Sequence, residues 1–247
     1  SDTYVAWSWK ANGGTATATI SESGNNPAAV VQANPTAGFS IVTYTGTGGT
    51  GTIAHGLGVL PNMIIIKNRD RNINWLVYHR NLSATNAYLH LENTDAEATN
   101  NAFFSNSGHS TTTFSIGNSN HTNADGEALV AYCFAEVEGY SKFGSYTGNG
   151  STDGTFVYTG FRPAWILMKR TNSTGNWQLV DNRRVGYNPS NNLLFPDGSD
   201  AEAVVTDNDI LSNGFKLRTT GAGRNGSGST YIYMAFAEAP FKYANAR

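Results

Sequence analysis

The sequence predicts an all-β protein made of two tandem antiparallel β-sandwich domains. Short runs of β-branched and aromatic residues alternate with Gly, Asn, Asp and Pro about every ten residues, a spacing typical of sandwich strands and turns. Almost no segment shows the 3.6-residue periodicity of a helix. The chain also repeats itself, and the repeat divides it into two halves of similar pattern.

The repeat has a period of 102 residues. A proline, a lysine and a tryptophan recur at this distance in the pairs Pro61/Pro163, Lys67/Lys169 and Trp75/Trp177. A Phe-Ala-Glu string also recurs, at 134–136 and 236–238. A period near 100 residues indicates a duplicated domain, because solenoid units are shorter. We interpret positions shared by both copies as scaffold and positions found in one copy as free for specific binding.

The alternation predicts strands in order along each copy. In the first copy they are expected at 4–10, 15–20, 39–44, 51–55, 63–68, 75–79, 88–91, 113–116 and 128–137. In the second copy they are expected at 141–146, 154–159, 165–170, 177–180, 192–195, 214–218 and 230–237. The run at 63–66 is apolar at every position, which predicts a central strand covered on both faces.

We predict a first domain over residues 1–138 and a second over residues 139–247. Residues 1–12 resemble the strand that closes each copy, because Tyr4-Val-Ala-Trp-Ser-Trp9 is similar to Tyr231-Ile-Tyr-Met-Ala-Phe236. The chain is therefore expected to open with the last strand of a preceding copy, as the C-terminal piece of a longer polypeptide. Residues 21–37, rich in Asn, Pro and Ala, are expected to be linker-like.

Composition excludes several classes of partner. Only 14% of the residues are charged and the formal net charge is −2, whereas nucleic-acid binders cluster Lys and Arg on one face. No apolar run approaches the roughly 18 residues of a membrane-spanning helix. We therefore predict no nucleic-acid partner and no membrane insertion. The single cysteine, Cys133, excludes an internal disulfide and is expected to be a small buried side chain.

Metal and cofactor signals are weak. No histidine falls in a zinc-ligand pattern, in the set His55, His79, His90, His109 and His121. Oxygen ligands for calcium could come from the acidic stretch of the second copy, with Asp197, Asp200, Asp207 and Asp209, although no EF-hand string is present. We predict no cofactor and no metal site, with calcium as the open alternative.

Carboxylates were considered as a catalytic pair. A sandwich that cleaves sugars would place two carboxyl groups on one face of a groove. Glu136 and Glu138 are two apart and share a face if their strand continues. Glu136 recurs as Glu238, which favours a strand-end carboxylate bonded to neighbouring loops. No nucleophile motif is present either. We predict no catalytic residues and no enzyme.

Sugar recognition fits the composition better. Aromatic faces stack on sugar rings, and polar side chains around them bind hydroxyl groups. Trp75 and Trp177 are repeated and are therefore expected to pack as scaffold. The ligand-binding candidates are aromatic and arginine residues found in one copy, namely Tyr78, Tyr88, Tyr158, Arg183, Arg184 and Tyr187.

The repeated strings resemble bacteriophage tail-fibre and virion-appendage repeats, which are common in marine viruses. In the second copy they are Phe143-Gly-Ser-Tyr-Thr-Gly-Asn-Gly150, Gly160-Phe-Arg-Pro-Ala-Trp-Ile-Leu-Met-Lys169, Asn213-Gly-Phe215 and Tyr231–Glu238. The first copy matches with Gly58-Val-Leu-Pro-Asn-Met-Ile-Ile-Ile-Lys67 and Tyr132-Cys-Phe-Ala-Glu136. The resemblance covers nearly the whole chain from Phe39 onward and includes no catalytic motif. It implies a virion protein with lectin-type sandwiches of the jelly-roll or concanavalin-like kind.

The predicted function is that of a structural and adhesive protein of a phage particle. Its expected location is the virion or the extracellular space, and its expected partners are host surface glycan and other copies of the chain in a homo-oligomer. Two alternatives stay open at this point. One is a polysaccharide-degrading glycoside hydrolase or lyase on the same sandwich, and the other is a purely architectural capsid or fibre decoration without a ligand.

Overall fold

A computed structural model of the protein describes residues 4–184 and 188–239. Within these ranges the fold is all-β, with antiparallel pairing throughout. Helix is confined to a four-residue α1 (Asn120–Asn123) and a 3-10 turn at Pro35–Ala37. None of the helices in the described part of the chain has the length and apolarity that a bilayer crossing requires. Because strands make up nearly all of the regular structure, the prediction of an all-β fold is confirmed.

The first half contains ten described strands. They are β1 (Ala18–Ile20), β2 (Ala29–Asn34), β3 (Phe39–Thr45), β4 (Gly51–Ala54), β5 (Met63–Asn68), β6 (Leu76–His79), β7 (Ala87–His90), β8 (Ala98–Thr99), β9 (Thr113–Ile116) and β10 (Ala128–Phe134). Eight of them form one sheet, sheet I, in the order β1-β2-β3-β10-β5-β6-β7-β8, while β4 and β9 form a separate pair.

The second half contains eight described strands. They are β11 (Ser141–Thr147), β12 (Phe156–Tyr158), β13 (Pro163–Arg170), β14 (Gln178–Asp181), β15 (Ser190–Leu194), β16 (Ala203–Leu211), β17 (Gly214–Leu217) and β18 (Thr230–Ala237). All eight form sheet II, in the order β11-β18-β13-β14-β15-β16-β17-β12. Sheet II is nearly closed, because the Thr155 hydroxyl, just before β12, donates to the Thr147 carbonyl oxygen of β11 at 2.8 Å.

The repeat is exact in the central strand register. Tyr132 of β10 pairs with Ile65 of β5, and Met234 of β18 pairs with Leu167 of β13, each residue 102 positions after its counterpart. The apolar Met63–Asn68 run is the central β5, as its sequence predicts. Shared positions thus build the same four-strand centre twice.

The two sheets pack against each other face to face. Alternate side chains of the central strands enter one common core, with Phe134, Met63 and Val77 from sheet I and Met234 and Leu167 from sheet II. Because successive residues in a strand point to opposite sides, the other face of each sheet encloses a separate core. The molecule therefore has three apolar layers, and the middle one joins the halves.

Two expectations for the N-terminal region were wrong. Residues 4–10 form no regular strand; instead, the Trp9 ring packs edge-on against Trp165 at 5.3 Å, at the margin of the common core. Residues 21–37, expected to be linker-like, contain β2, which pairs with β3 over its whole length. The boundary between 138 and 139 falls between β10 and β11.

Candidate functional site

Two of the six predicted ligand-binding residues pack inside the first half. Tyr78 is 5% exposed and belongs to the first-half core, where its ring lies 4.1 Å from the His109 ring. Burial raises the pKa of the Tyr78 hydroxyl. Tyr88 is half-buried and packs edge-on against Phe103 at 4.7 Å. Both rings are occupied by intramolecular packing.

The two predicted arginines, Arg183 and Arg184, differ in their environment. Arg184 is largely buried, donates from Nε to Asp181 Oδ2 at 2.6 Å and pairs with Glu202. Its guanidinium is thereby committed to holding the turn after β14. Arg183 is exposed, and its backbone N–H donates to Asp181 Oδ1 at 2.8 Å. Tyr187 lies outside the described residues.

Tyr158 is the aromatic residue, among the predicted ones that the structure describes, that is open to solvent. It is 63% exposed on β12, and Phe156, two residues earlier on the same face, is 44% exposed. Between them, Val157 points inward to the second-half core. A three-residue strand thus presents two aromatic rings side by side on its outer face.

Neighbouring strands extend this surface with charged side chains. Phe156 pairs with Lys216 of β17, and Lys216 pairs with Asp209 of β16, which gives a cross-strand row on the outer face. Directly paired residues in such rows have Cβ atoms about 5 Å apart. We call Phe156, Tyr158, Lys216 and Asp209 the β12–β17 face.

An open groove of about 540 Å³ adjoins the β12–β17 face. Its lining consists of Thr152, Asp153, Pro189, Thr206, Asp209 and Arg218. The charges in it are balanced, because Arg218 Nε lies 3.3 Å from Asp209 Oδ2 and Lys216 pairs with Asp153. The hydrogen bond and charge of Lys216 lower the pKa of the Asp153 carboxyl. The groove thus offers hydroxyls and paired charges, with little net charge. It meets the β12–β17 face at Asp209, and the two aromatic rings lie outside its lining.

The β12–β17 face has no counterpart in the first half. Ile53 pairs with Phe114 as Val157 pairs with Phe215. The two aromatic positions therefore correspond to residues 52 and 54, which are Thr and Ala. The position that corresponds to Lys216 is residue 115, a fully buried serine whose hydroxyl donates to the Ser105 carbonyl oxygen. In the first half the segment that contains Ser105 covers this position. In the second half the corresponding Lys216 is not fully buried.

Sequence reasoning found Tyr158 but missed Phe156 and the charged row beside it. Phe156 follows from alternation, because an exposed Tyr158 places residue 156 on the same face of the strand. Lys216 and Asp209 could not be assigned in the same way, because strand β16 was not predicted and the pairing of β17 with β12 depends on the sheet order. The sequence shows no strand pattern at 203–211, where Asp207 and Asp209 belong to an acidic stretch, yet these residues form the longest described strand.

The acidic residues considered for calcium do not converge. Asp207 pairs with Arg224 at 2.9 Å and Asp209 pairs with Arg218. In residues 4–184 and 188–239, no three His, Cys, Asp or Glu side chains are grouped so that they could hold a metal ion. Each of the two carboxylates on β16 is thus held by an arginine.

The two repeated strand-end glutamates each form an ion pair, although with partners at different positions of the repeat. Glu136 pairs with Lys142 at 2.7 Å, and Glu238 pairs with Arg162 at 3.2 Å. Each carboxylate follows a central strand and ties its end to a residue of a nearby segment. The sequence interpretation of Glu136 as a strand-end carboxylate agrees with these contacts.

Comparison with protein families places the chain in one of them. Residues 1–240 match the family described as Domain of unknown function (DUF7483), so the chain belongs to that family. The match runs through both halves of the repeat. No curated protein and no solved structure matches the chain.

Proposed function

We propose that this protein is a structural and adhesive component of a phage virion that binds surface glycan without catalysis. The observation that carries the glycan-binding part is the β12–β17 face, where two exposed aromatic rings share the outer surface of the sheet with a polar groove that starts at Asp209. Sugar rings stack on aromatic faces through their C–H groups, and hydroxyls and paired charges bind the sugar hydroxyls. The face occurs in one half only, as expected for a specific site added to a duplicated scaffold.

The virion part of the proposal is supported by the resemblance of the repeated strings to tail-fibre and appendage repeats. A location on the virion or outside the cell, and assembly with other copies of the chain, belong to the same proposal. We also propose that each half is a sandwich of the jelly-roll or concanavalin-like type. The separate core enclosed by each half supports this finer assignment.

The glycan-binding part is tested by glycan-array and calorimetric measurements on the whole chain. Phe156→Ala and Tyr158→Ala should each weaken binding about tenfold, which corresponds to the loss of one stacking contact. The matched control is Val59→Ala, which truncates a half-exposed apolar residue of the first half. Equal binding by all four proteins, or no binding to any array glycan, would contradict the proposal.

The virion part needs a separate test. Antibody raised against the chain should label intact phage particles in electron micrographs, and added protein should compete with phage adsorption to cells. Tyr158→Ala protein should compete less well than the Val59→Ala control. Labelling without competition would leave a virion protein with no adhesive role and would remove that half of the proposal.

A further inference from the structure

One strand of the first half, β2, has no counterpart among the described residues of the second half. In sheet I, β2 covers the outer edge of β3 along its length, from the pair Ala29–Tyr44 to the pair Asn34–Phe39. Its alternate residues 29, 31 and 33 enter the first-half core. Strand β3 is therefore paired on both sides, and β2 supplies small apolar side chains to the interior.

The counterpart of β3 is an edge strand. Strand β11 lies 102 residues after β3 and pairs with β18 on one side. In the described residues of sheet II no strand pairs with its other side. The turn that connects β10 to β11 spans only residues 135–140, which leaves no length of chain for a strand like β2.

The hydrogen bonds at the two ends of β11 show which backbone groups face outward. Just before it, the Tyr140 carbonyl oxygen accepts from Ala237 N–H at 2.8 Å; just after it, Gly148 N–H donates to the Ser229 carbonyl oxygen at 2.9 Å. Even-numbered residues therefore bond toward β18. In an antiparallel ladder the residues between them point the opposite way, so the backbone groups of 143, 145 and 147 face away from the sheet.

Intramolecular contacts close both ends of this edge and leave its middle open. At one end Phe143 N–H reaches Glu136 Oε2 at 3.4 Å, and at the other the Thr147 carbonyl oxygen accepts from Thr155. Four groups lie between: the Phe143 carbonyl, both backbone groups of Ser145, and the Thr147 N–H. They have no hydrogen-bond partner within the described part of the chain. Four consecutive groups can bond to an added strand of about five residues.

Space for a strand is present beside this edge. In the first half, a Cβ on Gly56 would lie 2.9 Å from the Val31 side chain and 3.0 Å from that of Ala33, so β2 fills the gap there. By the strand pairing of β4 and β12, Gly160 is the corresponding glycine. Among the described residues, the atom nearest to a Cβ on Gly160 would be the Tyr158 hydroxyl, at 3.7 Å.

The Tyr233 ring at the bottom of this gap limits the size of the side chains that can enter it. Tyr233 stands where the first half has Ala131, and its ring lies over Gly144, where a Cβ would come within 2.8 Å of ring atoms. The Tyr233 ring thus covers the second-half core at the place where β2 covers the first-half core. An added strand must therefore bring small side chains to its inward positions, as β2 does with Ala29 and Ala33.

We propose that the outer edge of β11 binds an extended segment of a partner polypeptide by strand addition. The segment runs antiparallel to β11, carries small apolar residues at every second position and turns polar residues outward. Its chemistry is that of β2, which occupies the equivalent edge of sheet I. Main-chain hydrogen bonds from residues 143–147 provide affinity, and the shallow floor over Tyr233 selects the side chains.

The test uses the whole chain and a capped peptide with the sequence of residues 27–36, which contains β2. Hydrogen exchange followed by NMR should show rapid exchange of the Ser145 and Thr147 amides in the free protein. Saturating peptide should slow both amides at least about tenfold. A control peptide with lysine in place of Ala29 and Ala33 should not slow them.

A proline variant separates strand addition from other binding. Ser145→Pro removes an outward N–H that has no partner in the described chain, so the fold should persist, since edge strands tolerate proline. The variant should not bind the peptide, while Ser145→Ala should bind as the wild type does. Binding by Ser145→Pro, or rapid exchange at Ser145 under saturating peptide, would overturn the proposal. Protection that rises with protein concentration alone would assign the edge to self-pairing and would also overturn it.

Discussion

The His79 imidazole joins the two halves by donating from Nε2 to the Tyr233 carbonyl oxygen, 3.2 Å away and 154 residues later. Its Nδ1 accepts from Asn81 N–H at 3.2 Å, so the proton of the neutral ring lies on Nε2. The residue is 1% exposed in the layer between the sheets. The protonated ring would carry a second N–H at Nδ1, which has no acceptor there, because it would face the Asn81 N–H donor.

The first prediction concerns acid sensitivity. Burial lowers the pKa of His79 from 6.5 to about 4. The native state therefore takes up its proton only near pH 4, whereas the unfolded chain takes it up near 6.5. Stability from the neutral ring is complete above pH 6.5 and falls as the pH drops toward 4, by at most about 1.4 kcal/mol per pH unit.

Urea unfolding between pH 4 and pH 7.5 measures this loss. His79→Gln keeps a donor for the Tyr233 carbonyl and cannot be protonated, so its stability should fall less steeply over this range. The buried His109, whose pKa burial also lowers to about 4, is present in both proteins and cancels from the comparison. Parallel curves for the two proteins would contradict the assignment.

The second prediction concerns Lys169 at the contact between the halves. Its Nζ donates to the Asp95 carbonyl oxygen at 2.8 Å and to that of Arg170 at 2.9 Å, and the side chain is fully buried. Burial lowers the pKa of Lys169 to about 8, although the carboxylates of Asp95 and Asp197 partly oppose this shift. Below pH 8 the buried Lys169 ammonium group is charged, and this lowers the free energy of unfolding.

The sign of the pH dependence follows from this lowered pKa. Between pH 8 and the usual lysine value of 10.5, the unfolded chain holds the proton and the native chain has released it. Stability should therefore rise with pH in this window, and most clearly from pH 8 to 9. Above pH 9 the thiol of Cys133 opposes the rise, because burial raises its pKa from 9.0 to about 12. Lys169→Met should abolish the rise in urea midpoints. Lys67→Met, at the equivalent position of the first half, is the matched control and should keep it.

The duplicated centre of the fold could be predicted from the sequence. The central strands Met63–Asn68 and Thr230–Ala237 were predicted with their observed bounds. They combine apolar periodicity with turn residues on both sides, so local chemistry determines them. The repeat added the correspondence of β5 with β13, which the strand register confirms.

Features that depend on long-range pairing could not be predicted. Strand β2 was missed because its Asn and Ala residues have low strand propensity, and pairing with β3 overrides that preference. The N-terminal segment has strong strand propensity, and its tryptophans pack at a core margin instead of pairing. Likewise, the sequence identifies Tyr78 and Tyr158 alike as aromatic residues that are not repeated in the other copy. Only the sheet order shows that one faces a core and the other faces solvent.

The third prediction concerns a buried asparagine that is repeated. Asn225 is fully buried, and its Nδ2 donates to the carbonyl oxygens of Ser151 and Thr219 at 2.8 and 2.7 Å, while Oδ1 accepts from Asn149 N–H at 3.1 Å. Asn225→Ala should cost about 2–4 kcal/mol, because three partly buried backbone groups lose their partner. The same substitution at Asn123, its counterpart 102 residues earlier, should cost a similar amount.

Chemical denaturation of both variants checks this prediction. The exposed Asn118 is the control, and Asn118→Ala should change the free energy of unfolding by less than about 0.5 kcal/mol. A loss below 1 kcal/mol for Asn225→Ala would contradict the role of this side chain in tying the loops at the end of sheet II.

The fourth prediction separates the two tyrosines that the sequence grouped together. Tyr78 packs against Phe104 and His109 in the first-half core, so Tyr78→Ala should lower the free energy of unfolding by about 3–5 kcal/mol. Tyr158→Ala should change it by less than about 0.5 kcal/mol, because that ring faces solvent. Urea unfolding of both variants beside the wild type measures the difference. A ring held at the surface for ligand binding can be removed without loss of stability, whereas a core ring cannot, so equal losses at the two positions would contradict the different roles assigned to them.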